Sequence, residues 1–578
     1  EVYFFRISKT LRRINLIKFF KLIEINWLNY HENKTLKNYT KFRADSIKLS
    51  KKLAKKNTDK MWDPKFKDVF IKKKYLYIAL HKIFKKKSDD FTELILASKM
   101  IKSKKNETVY FWTDINFISS YIFSNYPGCY NIKLKIPYLS HLILFLKIFI
   151  KLFNSIILNF FAKFKKISFY RQNDEKIKSN INKSNINKDK IIYFAHKGLP
   201  ASREISDNIY YSKNKNNNSY YKKILHLEWF SKDIRNNGHV KNFYKKNNIH
   251  YDFWENYKIN LQSKIIIFFQ LIIFLLKTKF KKNPMLIEII SELFLQINSS
   301  KKKINKYFYN TQIALVEYEY LFPISLSIAL KSANIKIISA QTRILMPTLG
   351  ESYLCDLYLT LGKKSSKEIK KQICKPAVKL LGIKNNKLAN KTNLKTKKIK
   401  HVFVYDIKSE KDWYMNGRKG DYNWKENYLF YSLIVEKAKI HKNTMFYIKG
   451  KNYNWMNIPY FRKILYEIKK QKNILILNKS SDREILGLNR KADLFIAIYT
   501  SAVDKALANG KPVIIYDICD DKITNYGNLK VTSKEQFDIC WNNYQINYFN
   551  LNYKINKLRK YFYSNLNFFK VRSFLDRY

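Results

Sequence analysis

Thr500 and Ser501 stand where the apolar run "DLFIAIY" (493 to 499) stops and a short helical pattern begins; Gly510-Lys511-Pro512 then opens a second apolar run. Hydroxyls at a strand-to-helix junction can cap the helix, whose first free N–H groups and positive dipole end attract anions. Asp504 and Lys505 follow in the same helical stretch, and Lys449 ends another apolar run, "MFYIKG" (445 to 450). An ammonium beside two hydroxyls and a helix start suits a diphosphate. The same residue types also serve as a plain cap and a solvated strand end. Their membership of one sheet is what would join them into a site.

A second set could move protons. His196 in "FAHKG" and Glu317 and Glu319 in "VEYEYLF" follow strand-like runs, where a general base for an acceptor hydroxyl could sit. Ordinary loop or core polar residues would occupy the same places. Gln341 and Arg343 end the run "IKIISAQTR", which reads as a buried strand meeting a functional-looking loop. The acidic cluster "YDICDDKI" (516 to 523) reads as a solvated turn rather than a metal pair, so neither metal nor other cofactor is expected. Cys129, Cys355, Cys374, Cys519 and Cys540 show neither CxxC nor Cys/His ligand spacing and fit a reducing cytoplasm.

These residues need a scaffold. Five apolar runs recur after residue 400: "HVFVYDI" (401 to 407), "MFYIKG", "NILIL" (473 to 477), "DLFIAIY" and "PVIIYD" (512 to 517), with helical patterns between them. Strands that are apolar throughout are buried on both faces, and helical crossovers make such a sheet parallel. A Rossmann-like unit over 401–545 follows. Upstream, "ETVYFWTD" (107 to 114), "IIYFAHKG" (191 to 198), "QIALVEY" (312 to 318), "IKIISAQTR" (335 to 343) and "CDLYLTLG" (355 to 362) read as strands of another unit over 106–381. Residues 1–105 read as a helical arm or cap, 382–400 as a linker, and 546–578 as a terminal helix packing back. The Asn/Lys-rich stretches at 173 to 190 and 212 to 219 read as surface insertions.

Composition narrows the partners. The 578 residues are 46% hydrophobic and 16% aromatic, too apolar for a disordered chain despite a formal net charge of +66. The basic residues are mostly Lys, spread evenly, whereas a nucleic-acid footprint is usually clustered and Arg-rich. No nucleic-acid partner is expected; anionic lipid head groups and sugar nucleotides suit the charge better. The opening "EVYFFRISKTLRRINLIKFF" lacks a signal-peptide cleavage pattern, consistent with a cytoplasmic location.

Two apolar stretches bear on membranes. Residues 141 to 161 have the length of a span, but Lys147 and Lys151 near the middle would each cost ~2.5–3.5 kcal/mol. With Ser155 and Asn159 they form one polar stripe, which allows either a helix lying in the membrane surface, on the inner face of the cytoplasmic membrane, or a buried helix. The run at 265 to 276, flanked by Lys264 and Lys277, is too short to span and reads as a core helix.

The segment Thr500, Ser501, Ala506, Leu507, Gly510, Lys511, Pro512, Val513 resembles the Thr/Ser-Ser…Glu-Ala-Leu…Gly-Lys-Pro-Val stretch of bacterial capsule and surface-polysaccharide glycosyltransferases of the GT-B fold. "LSIALKSANIKIISAQTRILMP" and "CDLYLTLGKKSSKEI" are similar to the same group, over roughly residues 190 to 520. Where the family has an acid before Ala-Leu, this chain has Lys505. Asp504 lies one position earlier, about 100° round the helix.

The resemblance implies an α/β fold with two Rossmann-like domains facing across a cleft, which Gln341 and Arg343 would line. The C-terminal one would hold a nucleotide-sugar donor and the N-terminal one a glycan or glycolipid acceptor. The activity implied is sugar transfer in capsule or lipopolysaccharide synthesis; the acidic cluster, read as a solvated turn, adds that it needs no metal, and the polar stripe at 141 to 161 adds peripheral membrane contact. Three alternatives share parts of the pattern: a CDP-polyol phosphotransferase, a sugar-nucleotide epimerase working without an acceptor, and a basic nucleic-acid-binding protein.

Overall fold

The computed structural model describes residues 2–4, 22–24, 37–86, 109–112, 129–131, 191–195, 224–229, 242, 244–245, 249–276, 284–316, 322–341, 353–371, 374–380, 399–406, 424–450, 453–478, 488, 491–498, 503, 506–507, 511–516 and 530–546. The stretch 141 to 161, the two Asn/Lys-rich insertions, nearly all of the linker and the segment after residue 546 lie outside them.

Among the described residues, three parallel sheets organise the chain. The first is four-stranded, order β2-β1-β3-β4, from β1 (Val2–Phe4), β2 (Leu22–Glu24), β3 (Val109–Trp112) and β4 (Cys129–Asn131). Two of these short strands fall within the stretch expected as a helical arm or cap, ahead of its helices Lys37–Met61 and Lys73–Lys86.

The second sheet is seven-stranded: β5 (Ile191–Ala195), β6 (Ile224–Glu228), β7 (Tyr251–Phe253), β8 (Ile313–Val316), β9 (Lys336–Ala340), β10 (Leu357–Thr360) and β11 (Ala377–Leu380), in the order β11-β10-β9-β8-β5-β6-β7. Its strands alternate between two buried faces. Ile192 and Phe194 pack with Ala314, Val316 and Ile337, while Tyr193 and Ala195 pack with Ile313, Leu315 and Ile338 on the other side. Burial on both faces is why these strands read as continuous apolar runs.

Over this unit lies a helical layer. Helices Lys37–Met61 and Lys73–Lys86 share one core with Leu261–Leu276 and Pro284–Tyr307, built around Phe66, Phe70, Leu76, Leu271, Ile290 and Phe294. Lys82 Nζ donates to the Phe322 carbonyl at 2.7 Å, tying the N-terminal helices to the segment before helix Ile324–Ser332.

The third sheet has six strands: β12 (His401–Tyr405), β13 (Met445–Lys449), β14 (Ile474–Ile476), β15 (Leu494–Ala497), β16 (Val513–Tyr516) and β17 (Lys530–Val531), in the order β14-β13-β12-β15-β16-β17. Helices Trp424–Ile440, Arg462–Lys470 and Lys534–Ile546 connect or follow its strands. Asp493 Oδ2 accepts from the backbone N–H groups of Lys400 and His401, both at 3.0 Å, and so fixes β12 against the start of β15. The protein is thus an α/β chain with two large Rossmann-like sheets.

Candidate functional site

Strand order locates the two places where a ligand would sit. In the C-terminal sheet β13 and β14 lie on one side of β12, and β15 to β17 on the other. The larger sheet repeats this arrangement: β6 and β7 lie on one side of β5, and β8 to β11 on the other. Such a reversal separates the connections leaving two neighbouring strands and opens a crevice beyond their carboxyl ends, where doubly wound sheets bind ligands.

At the C-terminal crevice the central strand ends in an acid. Asp406 follows β12; its backbone N–H donates to the Lys449 carbonyl at 3.0 Å, so it sits beside the end of β13. Tyr431, on helix Trp424–Ile440, donates to Asp406 Oδ2 at 2.8 Å. Asp406 Oδ1 has no hydrogen-bond partner among the described residues, and the side chain is buried. Burial drives its pKa up to about 7, outweighing the Tyr431 hydrogen bond, the nearby Trp455 indole and the Lys449 charge, all of which favour the carboxylate. The acid therefore holds its proton into the neutral range. Tyr431, fully buried and stacked on Trp455 at 4.4 Å between centroids, is pushed well above the ordinary tyrosine value and stays a donor.

Lys449 completes the edge. Its ammonium donates to the Gly450 carbonyl at 2.9 Å and lies 5.6 Å from the Tyr453 ring centroid. A carbonyl and an aromatic face orient the cation without cancelling its charge. Tyr453 is itself fixed, donating to the Leu477 carbonyl at 2.9 Å. The arrangement presents a positive charge and a neutral acid on adjacent strand ends, a pairing suited to a diphosphate with a hydroxyl-bearing sugar or ribose beside it.

Thr500, Ser501, Asp504 and Lys505 lie outside the described residues. The structure follows β15 to Ile498 and finds Val503, Ala506 and Leu507 helical and buried in the C-terminal core. The strand that leads to Thr500 is hydrogen-bonded to β12, on the side opposite β13. Lys511 serves the fold instead. Its Nζ donates to the Ala492 carbonyl at 3.0 Å, at the amino-terminal ends of the strands and away from Lys449.

His196, Glu317, Glu319 and Arg343 also lie outside the described residues. The strands before the first two end at Ala195 and Val316, and β5 and β8 are the pair that flanks the crevice of the larger sheet. Gln341 is described, and its hydrogen bonds hold the fold together. Its Nε2 donates to Ser365 Oγ at 2.8 Å, its Oε1 accepts from the Leu361 N–H at 2.8 Å, and its own N–H reaches the Leu359 carbonyl at 2.9 Å. These bonds lock the end of β9 to the turn after β10. Leu361 in that turn packs in the core of the C-terminal sheet, so the Gln341 clamp sits where the two units touch.

Three functional-looking groups escape a reading of the sequence. Asp406 stands in the run "HVFVYDI", where its place as the acid closing a central strand is the signal that could have found it. Glu228 closes β6, fully buried, with Tyr244 donating to Oε1 at 2.8 Å; two positions earlier His226 is buried edge-on against Tyr193, with its pKa lowered to about 3 by burial. Lys364, in the first turn of helix Lys363–Lys370 after β10, is buried and lowered to about 8 by desolvation. Among the described residues no group of three or more His, Cys, Asp or Glu could hold a metal ion.

No protein-family model matches the sequence, and no curated protein matches it. Solved structures of similar arrangement include the UDP-GlcNAc 2-epimerase of Neisseria meningitidis bound to UDP-GlcNAc, at TM-score 0.42 and 12% identity, covering 67% of this chain and 100% of that one. The UDP-GlcNAc 2-epimerase of Methanocaldococcus jannaschii gives 0.39 and 11%, over 67% and 99%. The wall teichoic acid polymerase TagF gives 0.36 and 12%, over 74% and 97%. At these values the likeness transfers neither activity nor residue roles.

Proposed function

We propose that this protein is a metal-independent glycosyltransferase that binds a nucleotide sugar at the C-terminal crevice and carries a surface-glycan or glycolipid acceptor in the N-terminal unit. The observation that carries the reading is the repeated strand reversal in two sheets of one chain, with Lys449 and the buried Asp406 on adjacent strand ends of one. Lys449 would neutralise the departing diphosphate, with Thr500 and Ser501 donating hydroxyl hydrogen bonds to it; Asp406 would donate to a phosphate or ribose oxygen. The bond from the anomeric carbon to the diphosphate breaks and a bond to the acceptor oxygen forms. The acceptor's proton passes to a base at the other crevice, His196 or Glu317, if configuration inverts.

The test is a thermal-shift screen of the full chain against UDP-, GDP-, CDP- and CMP-linked ligands, because a ligand bound only by the native state raises stability. Product analysis with the hit then decides the chemistry. Transfer to a lipid-linked glycan supports the proposal. Conversion of the sugar nucleotide without acceptor would make the chain an epimerase, and consumption of CDP-glycerol a polyol-phosphate transferase. No stabilisation by any nucleotide would overturn the donor site itself.

A further inference from the structure

The helix Leu261–Leu276 is apolar on both sides but buried on only one. Ile267, Leu271 and Phe274 join the helical core, whereas Leu261, Ile265, Ile266, Phe269, Ile273 and Leu276 are 39% to 65% exposed. Four of these, Leu261, Ile265, Phe269 and Ile273, recur every four residues, and with Leu276 they make a continuous outward stripe. Asn260 caps the helix by accepting from the Ser263 N–H at 3.0 Å, so the element is fixed at its start. A 16-residue helix is about 24 Å long, short of a bilayer's hydrocarbon core. Among the described residues no helix is long and apolar enough to cross a membrane.

Charge decides what this stripe would meet. Between Glu255 and Glu288 the sequence holds no acid, while Lys258 and Lys264 precede the stripe or start within it and Lys277, Lys279, Lys281 and Lys282 follow it. An exposed apolar face on a helix flanked in sequence by lysines matches a bilayer surface, where acyl chains take the stripe and anionic head groups the ammonium groups. A second copy of the chain would bring the same lysines, and another net charge of +66, against them. We infer that the exposed face of Leu261–Leu276 docks the protein, with this helix parallel to the membrane, on a phospholipid surface carrying anionic head groups.

The experiment is co-sedimentation of the full chain with phosphatidylcholine vesicles and with vesicles that also contain phosphatidylglycerol. The wild type is expected to pellet with the anionic vesicles and to be released as salt rises. The double substitution Phe269→Glu and Ile273→Glu, both at exposed positions, is expected to lose at least about tenfold in vesicle affinity with an unchanged melting temperature. Tyr466→Glu, equally exposed on helix Arg462–Lys470, should pellet like wild type. Nucleotide binding of the double variant reads out the donor site separately and should not change. A wild type that ignores both vesicles, or a double variant that pellets like wild type, overturns the inference. So does a wild-type dimer that the double substitution converts to monomer, since that outcome assigns the face to a second copy.

Discussion

Tyr431 holds Asp406 in place from the neighbouring helix, its hydroxyl 2.8 Å from Oδ2, and both side chains are buried at the carboxyl end of the central strand. A buried acid with one neutral donor and an unpaired second oxygen prefers to keep its proton, and that preference makes the pair visible in the pH dependence of stability. In the native state the acid titrates at about 7 rather than at its ordinary 3.8. Between these values the native state binds a proton that the unfolded chain has already released. This contribution is therefore fully present below about pH 4 and is lost as pH rises toward 7, by on the order of 4 kcal/mol. Asp406→Asn keeps an acceptor for Tyr431 and removes the titration. Melting curves from about pH 4 to 8 should show a shallower loss of stability in the variant than in wild type. Equal slopes would remove Asp406 as the source.

The proposed donor clamp joins Lys449, the last residue of β13, to Ser501, which lies outside the described residues. Lys449→Ala and Ser501→Ala should each weaken nucleotide binding by roughly 1.5–3 kcal/mol, about ten- to a hundredfold in Kd, if each makes a charge-assisted hydrogen bond to the diphosphate. Calorimetric titration with the nucleotide found in the stability screen measures this. Unchanged affinity in both variants, with the fold intact, would remove the clamp.

Gln341 should behave as a structural residue. Replacing it by Leu leaves the Leu361 N–H and the Ser365 hydroxyl without their partner in a buried setting, a loss of about 2–4 kcal/mol. Chemical denaturation should report that loss, while nucleotide affinity at a temperature where the variant is folded should match wild type. A selective fall in affinity without a change in stability would return Gln341 to the cleft.

The C-terminal unit should bind donor alone. A fragment from about residue 396 contains the six described strands of its sheet with Asp406 and Lys449, and among the described residues its core takes Leu361 alone from upstream. Circular dichroism should show it folded, and it should bind nucleotide without transferring sugar, because transfer needs both reactants held in one geometry. A folded fragment with no nucleotide affinity would contradict the assignment of donor to this sheet.

The sequence by itself determined the elements whose burial is uniform. β5, β8, β9, β10, β12, β13, β15 and β16 are foreshadowed by continuous apolar runs, because a strand covered on both faces needs apolar residues along its length; β14 also reads as an apolar run, although Leu475 is exposed. β6 is not: "ILHLE" carries His226 and Glu228 in a fully buried strand, where the ring of Tyr193 packs on the imidazole and the hydroxyl of Tyr244 donates to the carboxylate. β11 is an edge strand, mostly exposed, and leaves no apolar signature. The helix at 261 to 276 read as core because hydropathy records composition, whereas which side faces out depends on where the Pro284–Tyr307 helix lies. Strand order was equally beyond the sequence, since the reversals that set β12 beside β15 and β5 beside β8 arise from crossovers between distant segments. Asp406 shows the same division most plainly. Its place after a strand was legible, but its proton is held by exclusion of water, against the pull of the Tyr431 hydrogen bond, and both that burial and that bond exist only once the fold brings the helix against it.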